Sequence, residues 1–558
     1  MNSVVLLLVG LGCMAAGYFL YSRFIASKIF KLDPNYDTPA NVMRDGVDYV
    51  PTNKYVLWGH HFTSVAGAAP IIGPAIAVIW GWLPAFLWVV FGTIFMAGVH
   101  DMSAIWASVR NRGQSMGTIV GNVIGARARA LLMVVIFLLL LMVNAAFGTV
   151  IARMMVNTPS AVLPVWGALV VAFIIGQCIY RFKLSLPIVS LLGVIALYAL
   201  IWLGPKVPIA LPTEMLGMNS VGWWIIILFA YAAVASLLPV WMLLQPRDYI
   251  NGLQLFIGLG VLYVSIFIVA PNVVAPAYNH DLPVGTAPIM PLLFVTIACG
   301  AISGFHGLVS TGTTSKQINK ETDIRFVGYF GAMGEGMLAL GAILATTAGF
   351  ATLADWQAVY TAFGQGSIGA FINGGGEIMS QGVGLSKELS VTMLTVMAAL
   401  FAGTTMDTGV RLQRYIVQEV GEIYHLPFLK NGTVATLTAV GICIGLVFGT
   451  GGSDGQGGLT IWPLFGTTNQ LMAGLTLLIV SVMLLRRGIK SWYTLLPMVF
   501  LLLMTVIALL MQLGTFYGKE QWLLLFLDIV ILIAAILVSL ECAFVLRKEW
   551  PKSGAAKA

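Results

Sequence analysis

The chain has 558 residues, 59% of them hydrophobic and only 9% charged, where a soluble domain carries about 25% charged residues. A surface so poor in charge cannot face water, so lipid must surround most of the chain. That excludes soluble enzymes, and the net charge of +7 needs no nucleic acid, because the basic residues fall in short membrane-flanking loops.

The opening stretch, MNSVVLLLVGLGCMAAGYFLYSRF, has no basic residues before its apolar run. It reads as an uncleaved first helix with its N-terminus outside. A helix needs about 20 apolar residues to cross roughly 30 Å of hydrocarbon. That length predicts spans at 4–27, 57–79, 83–108, 130–154, 161–180, 186–203, 221–244, 249–270, 290–310, 325–348, 388–410, 432–450, 460–484, 493–513 and 522–546. The expected fold is an all-α, polytopic transmembrane bundle of about fifteen spans.

Lysine and arginine test that count. With alternating loops, 25 of the 29 basic residues fall on one side, including Arg247 in the loop after the seventh span. The other side holds only Arg153, Lys206, Lys387 and Lys519. The basic side is assigned to the cytoplasm of an inner-membrane protein, with the C-terminus inside. No loop is long enough for a soluble domain; the longest are 28–56, 271–289 and 349–387. The last is glycine-rich and reads either as a re-entrant or lid segment or as a flexible external loop.

Ionisable and polar residues inside spans are costly unless they face protein or water, so their positions are informative. The second span reads W58-G-H-H-F-T-S-V-A-G-A-A-P-I-I-G-P74. Its Gly67, Pro70, Gly73 and Pro74 predict a helix broken near 67–74, with backbone groups freed to line a cavity. His60 and Ser64 share one face there, beside His61. The third span carries His100-Asp101, a pair suited to proton relay. The ninth is loosened by Gly304, Gly307 and Gly312, and spaces Ser303, His306 and Ser310 along one face. Thr313 and Thr314 follow. This segment runs opposite in direction to the second span, as inverted repeats do, with seven helices of separation rather than five.

Glu335 lies among Gly328, Gly331, Gly334 and Gly336 in the tenth span, and is the leading candidate for a proton-coupling acid. Asp407 and Arg411 are spaced for an i, i+4 ion pair near the cytoplasmic mouth. Asn469 and Gln470 bring two amides into the thirteenth span, and Asp528 and Glu541 in the last read as peripheral. Five scattered cysteines make no Cys-x-x-Cys pair. There is no nucleotide-binding loop, no His-Glu-x-x-His and no Gly-x-Ser-x-Gly. No cofactor is expected, and energy must come from a solute or ion gradient.

Together these segments resemble the carbon starvation protein A (CstA) family. The resemblance runs through W58-G-H-H-F-T-S-V-A-G-A-A-P-I-I-G-P, G98-V-H-D, S303-G-F-H, G312-T-T-S-K316, R325-F-V-G-Y with Glu335, D407-T-G-V-R-L-Q-R-Y415 and W462-P-L-F-G-T-T-N-Q470. It covers residues 1–485 as a transporter core and leaves 486–558 as a C-terminal helix pair and tail. The chain departs from the family pattern at Ala69, Ser315 and Gly409, beside the expected cavity, which leaves the substrate open. The resemblance implies uptake of short peptides, or of a small carboxylate such as pyruvate with protons. It also implies membership of the amino acid–polyamine–organocation superfamily, with LeuT-like inverted repeats and discontinuous helices. Implied partners are a small-molecule substrate, H+ and membrane lipids, with no nucleic acid; the oligomeric state is not legible. Two other classes stay open at this point: an intramembrane metalloenzyme using the same histidines and Asp101, and a sensor that binds solute without moving it.

Overall fold

A computed structural model describes residues 1–46, 48–239, 242–364, 366–452, 455 and 457–555. Lys557, counted above on the basic side, lies outside them. The long helices in chain order are α1 (Ser3–Ile29), α2 (Lys54–Ala66), α3 (Ala69–Trp80), α4 (Trp82–Val109), α5 (Ala126–Asn157), α6 (Pro159–Ile179), α7 (Pro187–Lys206) and α8 (Ser220–Leu237). There follow α9 (Leu244–Val269), α10 (Ile289–Thr296) and α11 (Gly304–Gly312). After them come α12 (Glu321–Ala348), α13 (Leu353–Val359), α14 (Ser367–Val383) and α15 (Lys387–Glu422). The chain closes with α16 (Gly432–Gly451), α17 (Gly457–Arg486), α18 (Trp492–Gly518) and α19 (Trp522–Lys548). Among the described residues the named strands are one hairpin, Glu214–Met215 against Met218–Asn219.

Thirteen of the described helices are long and apolar enough to cross a membrane, or fourteen spans with the bent pair α2–α3 counted as one. The expected ninth span is split into α10 and α11 by residues 297–303, and each half is shorter than a crossing. Burial grades the bundle. The most apolar stretch of α17 is entirely buried, whereas α1 and α7 are mostly uncovered and carry exposed Phe19, Leu20, Leu191 and Leu192. Apolar side chains facing outward are what a lipid solvent requires.

The break in the second span is present, whereas the ninth span breaks earlier than expected, at 297–303, and Gly304, Gly307 and Gly312, expected to loosen it within 304–314, lie in the continuous helix α11. Gly67 adopts φ 56°, ψ −160°, a conformation only glycine takes readily, and α3 leaves α2 at 48°. The break is confined to 67–68; Pro74 sits inside α3 without interrupting it. Gly300 turns the second break with φ 93°. The two broken helices lie against each other in opposite directions. His61 meets Thr314, a Cβ on Gly300 would lie 3.4 Å from Pro70, and one on Gly73 would lie 2.5 Å from the Thr296 carbonyl oxygen.

The glycine-rich 349–387 segment is not a flexible loop. It holds α13 and α14, and α14 packs on the ends of α9, α12 and α15 away from the basic side. A Cβ on Gly374 would lie 2.2 Å from the Ala345 oxygen, and one on Gly382 would lie 2.5 Å from the Ser265 side chain. Small residues in a membrane helix mark close backbone approach, and that is their use here. Asp528 is buried with neither oxygen hydrogen-bonded, rather than peripheral as expected.

Candidate functional site

Four helices bring five ionisable side chains into one buried cluster. Asp101 of α4 is its hub. Its Oδ1 accepts from His100 Nδ1 at 2.8 Å and its Oδ2 from His306 Nδ1 of α11 at 2.8 Å. The other nitrogen of His306 lies 3.0 Å from Glu335 Oε2 of α12, an ion-pair contact off the ideal hydrogen-bond line. His61 of α2 bonds Thr314 Oγ1 at 2.9 Å and holds its Nε2 3.8 Å from Asp101 Oδ2. His61, His100, Asp101, His306 and Glu335 are all buried.

The local sequence explains the convergence. A Cβ on Gly331 would come within 2.8 Å of the His61 ring, one on Gly334 within 2.8 Å of Phe62, and one on Gly336 within 2.5 Å of Thr93. Glycine at these three positions lets α12 approach α2 and α4 closely enough for Glu335 to reach His306. Because Asp101 is an acceptor, His306 presents an N–H to it and turns its other nitrogen to Glu335. That contact has two forms: imidazolium with carboxylate, or imidazole with carboxylic acid. Transfer of one proton across the 3.0 Å gap interconverts them, which is the geometry of a relay.

A second cluster lies on the other side of α2. His60 Nδ1 and Ser64 Oγ both reach Asp248 Oδ2, at 3.1 and 3.2 Å. Beside it Arg247 is ion-paired to Asp407 and donates to the Tyr231 hydroxyl at 2.7 Å, while that hydroxyl donates to Asp407 Oδ2 at 2.7 Å. This corrects two expectations. Arg247 is not a loop cation but lies buried in the first turn of α9. Asp407 pairs with Arg247 rather than with Arg411, whose guanidinium donates to the carbonyls of Ala235 and Leu238 at the end of α8. Those carbonyls have no partner within their own helix, so a cation is well placed there.

The remaining expected residues have more local roles. Ser303 precedes α11 in extended backbone rather than sharing a helical face with His306 and Ser310. Asn469 Oδ1 accepts from Phe305 N at 2.9 Å and from Ser303 Oγ at 3.2 Å, capping the start of α11. Thr313 Oγ1 donates to the Val309 carbonyl. Ser310 Oγ and both amide atoms of Gln470 are buried without a hydrogen bond. Of the departures from the family pattern, Ser315 bonds Ser108 at 2.8 Å, and a Cβ on Gly409 would overlap Asn144 Oδ1 at 2.2 Å. Ala69 opens α3.

An open cavity of about 1250 Å³ enters from the basic end, lined by Val50, Gln177, Arg181, Tyr249, Arg411 and Tyr415 among others, and it reaches His60. The polar residues therefore form two adjoining clusters, with His60 on the cavity and His61 in the closed one. Arg247, Asp248 and Tyr231 were missed from the sequence. The only signal was two opposite charges beside Pro246 at a span boundary.

The family model described as carbon starvation protein CstA matches residues 2–360 and 345–508. Among curated proteins, the peptide transporter CstA of Campylobacter jejuni is 33% identical over 90% of this chain and 79% of that protein. Peptide transporter CstA of Helicobacter pylori (strain 26695) is 34% identical over 86% and 78%. The pyruvate/proton symporter BtsT of Escherichia coli K12 is 31% identical over 90% and 82%. A solved manganese transporter of Eremococcus coleocola covers 91% of this chain and 99% of its own at 12% identity and a TM-score of 0.47. The relatives' names support a transporter, not a metalloenzyme or a sensor. With its family model, relatives and broken-helix bundle in agreement, the chain is a multi-pass membrane transporter that belongs to the carbon starvation protein CstA family.

Proposed function

We propose that this chain is a proton-coupled symporter that takes up short peptides or a small carboxylate such as pyruvate across the cytoplasmic membrane. In this reading the N-terminus is outside, the C-terminus is inside, and the two antiparallel broken helices form the centre of a LeuT-like core. The observation that carries it is His306, held between Asp101 and Glu335 where α11 meets α4 and α12. A single imidazole between two buried acids gives a proton a place to sit and a place to go. The proton pathway runs through His61, His100, Asp101, His306 and Glu335. Freed backbone at 67–68 and 297–303 meets the substrate, and helix-end amides there favour a carboxyl group. The cavity at the basic end is the inward vestibule, and α14 covers the opposite end as a lid.

The test is reconstitution into liposomes with an imposed pH gradient and radiolabelled pyruvate, amino acids and di- and tripeptides. Uptake of at least one solute is expected to follow the gradient and to collapse with a protonophore. Glu335→Gln should remain folded and lose the gradient-driven component. Undiminished proton-driven uptake by that variant removes Glu335 from the mechanism.

A further inference from the structure

The inward cavity carries more positive charge than its own lining neutralises. Of the charged and titratable side chains on it, Asp48 is paired with Lys316 at 3.7 Å and His60 faces Asp248 at 3.1 Å. That leaves Arg181 and Arg411, and among the described residues neither is ion-paired to a carboxylate. Asp407, one turn before Arg411 on α15, is taken by Arg247, and Glu419, two turns after it, is taken by Arg129. Arg411 is only 8% exposed, and its Nη2 donates to the carbonyls of Ala235 and Leu238 at 2.9 and 2.8 Å. Both bonds come from one nitrogen, so they fix the guanidinium plane without using the rest of its N–H groups. A helix C-terminus carries about half an elementary charge, so the end of α8 offsets only about half of this cation. A buried charge short of a counter-ion is costly, and an arriving anion completes it.

Arg411 stands where a solute entering the cavity meets it. It lies one turn from Asp407, whose partner Arg247 adjoins Asp248, the acid that holds His60. Arg411 and His60 are thus on the same inner part of the wall, while Arg181 and Asp48 are exposed. Tyr249, also on the wall, accepts from Ser190 Oγ at 3.1 Å and so keeps its own O–H to donate. Cations and donors, with no unpaired acid among the described lining residues, suit a carboxylate and offer nothing to an ammonium group. We propose that Arg411 is the recognition residue for the carboxylate of a small monoanionic substrate in the inward-facing cavity, with Tyr249 a further donor on the same wall and Arg181 drawing anions to the mouth. This rests on the transport reading above and selects a class within it: a net anion rather than a zwitterionic peptide.

The test is binding to the purified full-length protein, by calorimetry, of pyruvate, its neutral isostere pyruvamide, and L-alanyl-L-alanine. Pyruvate is expected to bind at least tenfold more tightly than pyruvamide and more tightly than the dipeptide. Arg411→Gln should abolish the preference for pyruvate over pyruvamide, and Arg411→Lys should keep part of it. Equal affinity for pyruvate and pyruvamide, no pyruvate binding, tighter dipeptide binding, or an unchanged preference in Arg411→Gln overturns the proposal. If the glutamine variant does not fold, the three-ligand comparison on the wild type decides alone. Proton-driven uptake of the dipeptide with no preference for pyruvate over pyruvamide would sink this site and leave symport standing. Selective pyruvate binding lost in Arg411→Gln, without proton-driven uptake of any solute, would do the reverse.

Discussion

Replacing Asp101 with asparagine keeps the size of the side chain and removes the anion on which the buried cluster is built. Asp101 accepts two short hydrogen bonds, from His100 and His306, both at 2.8 Å. Each bond to a charged group contributes about 1.5–3 kcal/mol; asparagine keeps one acceptor oxygen, so one bond is lost and the other weakens to a neutral one, at a cost of about 2.5–4.5 kcal/mol. The new amide also points an N–H at an imidazole that already presents one. Glu335→Gln loses a single contact of 3.0 Å, worth at most about 3 kcal/mol on the same scale. The expected order of thermal stability in detergent is therefore wild type, then Glu335→Gln, then Asp101→Asn, with neither variant supporting gradient-driven uptake. Unfolding midpoints measured at one protein and detergent concentration, beside liposome uptake, give both readouts. An Asp101→Asn protein as stable as wild type, or more stable than Glu335→Gln, would refute Asp101 as the hub.

Two further predictions follow from the backbone and from the lid. Gly67→Ala should cost about 1–3 kcal/mol in backbone strain alone, with its Cβ 2.8 Å from the Phe147 ring and from Thr405 Oγ1. Gly12→Ala, with open space around its Cβ, should be neutral or stabilising; equal unfolding midpoints for the two variants would show that the break does not need glycine. Glu377 of α14 bonds Lys387 at 2.9 Å and Gln381 at 2.8 Å, and these donors, Lys387 first, hold its carboxyl below the ordinary glutamate value. A depressed folded value gives stability that is present above the unfolded pKa of about 4.3 and is lost as pH falls through the folded one. For so exposed a pair it amounts to about 1 kcal/mol or less. Protection factors across 367–383, with the intrinsic exchange rate divided out, should fall on acidification in the wild type and lose that pH dependence in Lys387→Ala; an identical pH profile in the two proteins would sink the tie.

What could be seen in the sequence was what local chemistry alone decides. Proline and glycine within apolar runs marked both broken helices, because backbone conformation is set within a few residues. A histidine or acid in a span also stands out, and His61, His100, Asp101, His306 and Glu335 do converge. Long-range pairing was not visible. Gln245-Pro246-Arg247-Asp248 looks like a loop, and only the packing of α9 against α15 turns Arg247 into a buried partner of Asp407. The i, i+4 rule suggested Arg411 for Asp407 because it considers a single helix, whereas the competing carbonyls of Ala235 and Leu238 belong to another. The glycines of 349–387 were ambiguous for the same reason. Whether they loosen a loop or admit a neighbouring backbone depends on what lies opposite, and Ala345 lies opposite Gly374.

His60 and His61 are consecutive residues of one rigid helix, yet each belongs to a different cluster. Turning α2 about its long axis cannot reposition one ring and spare the other. A swing that drew His60 off Asp248 would also strain the bond from His61 to Thr314, two residues past the end of α11. In the symport reading, occupancy of the open cavity and protonation of the buried acids are thereby geared together by a single peptide bond.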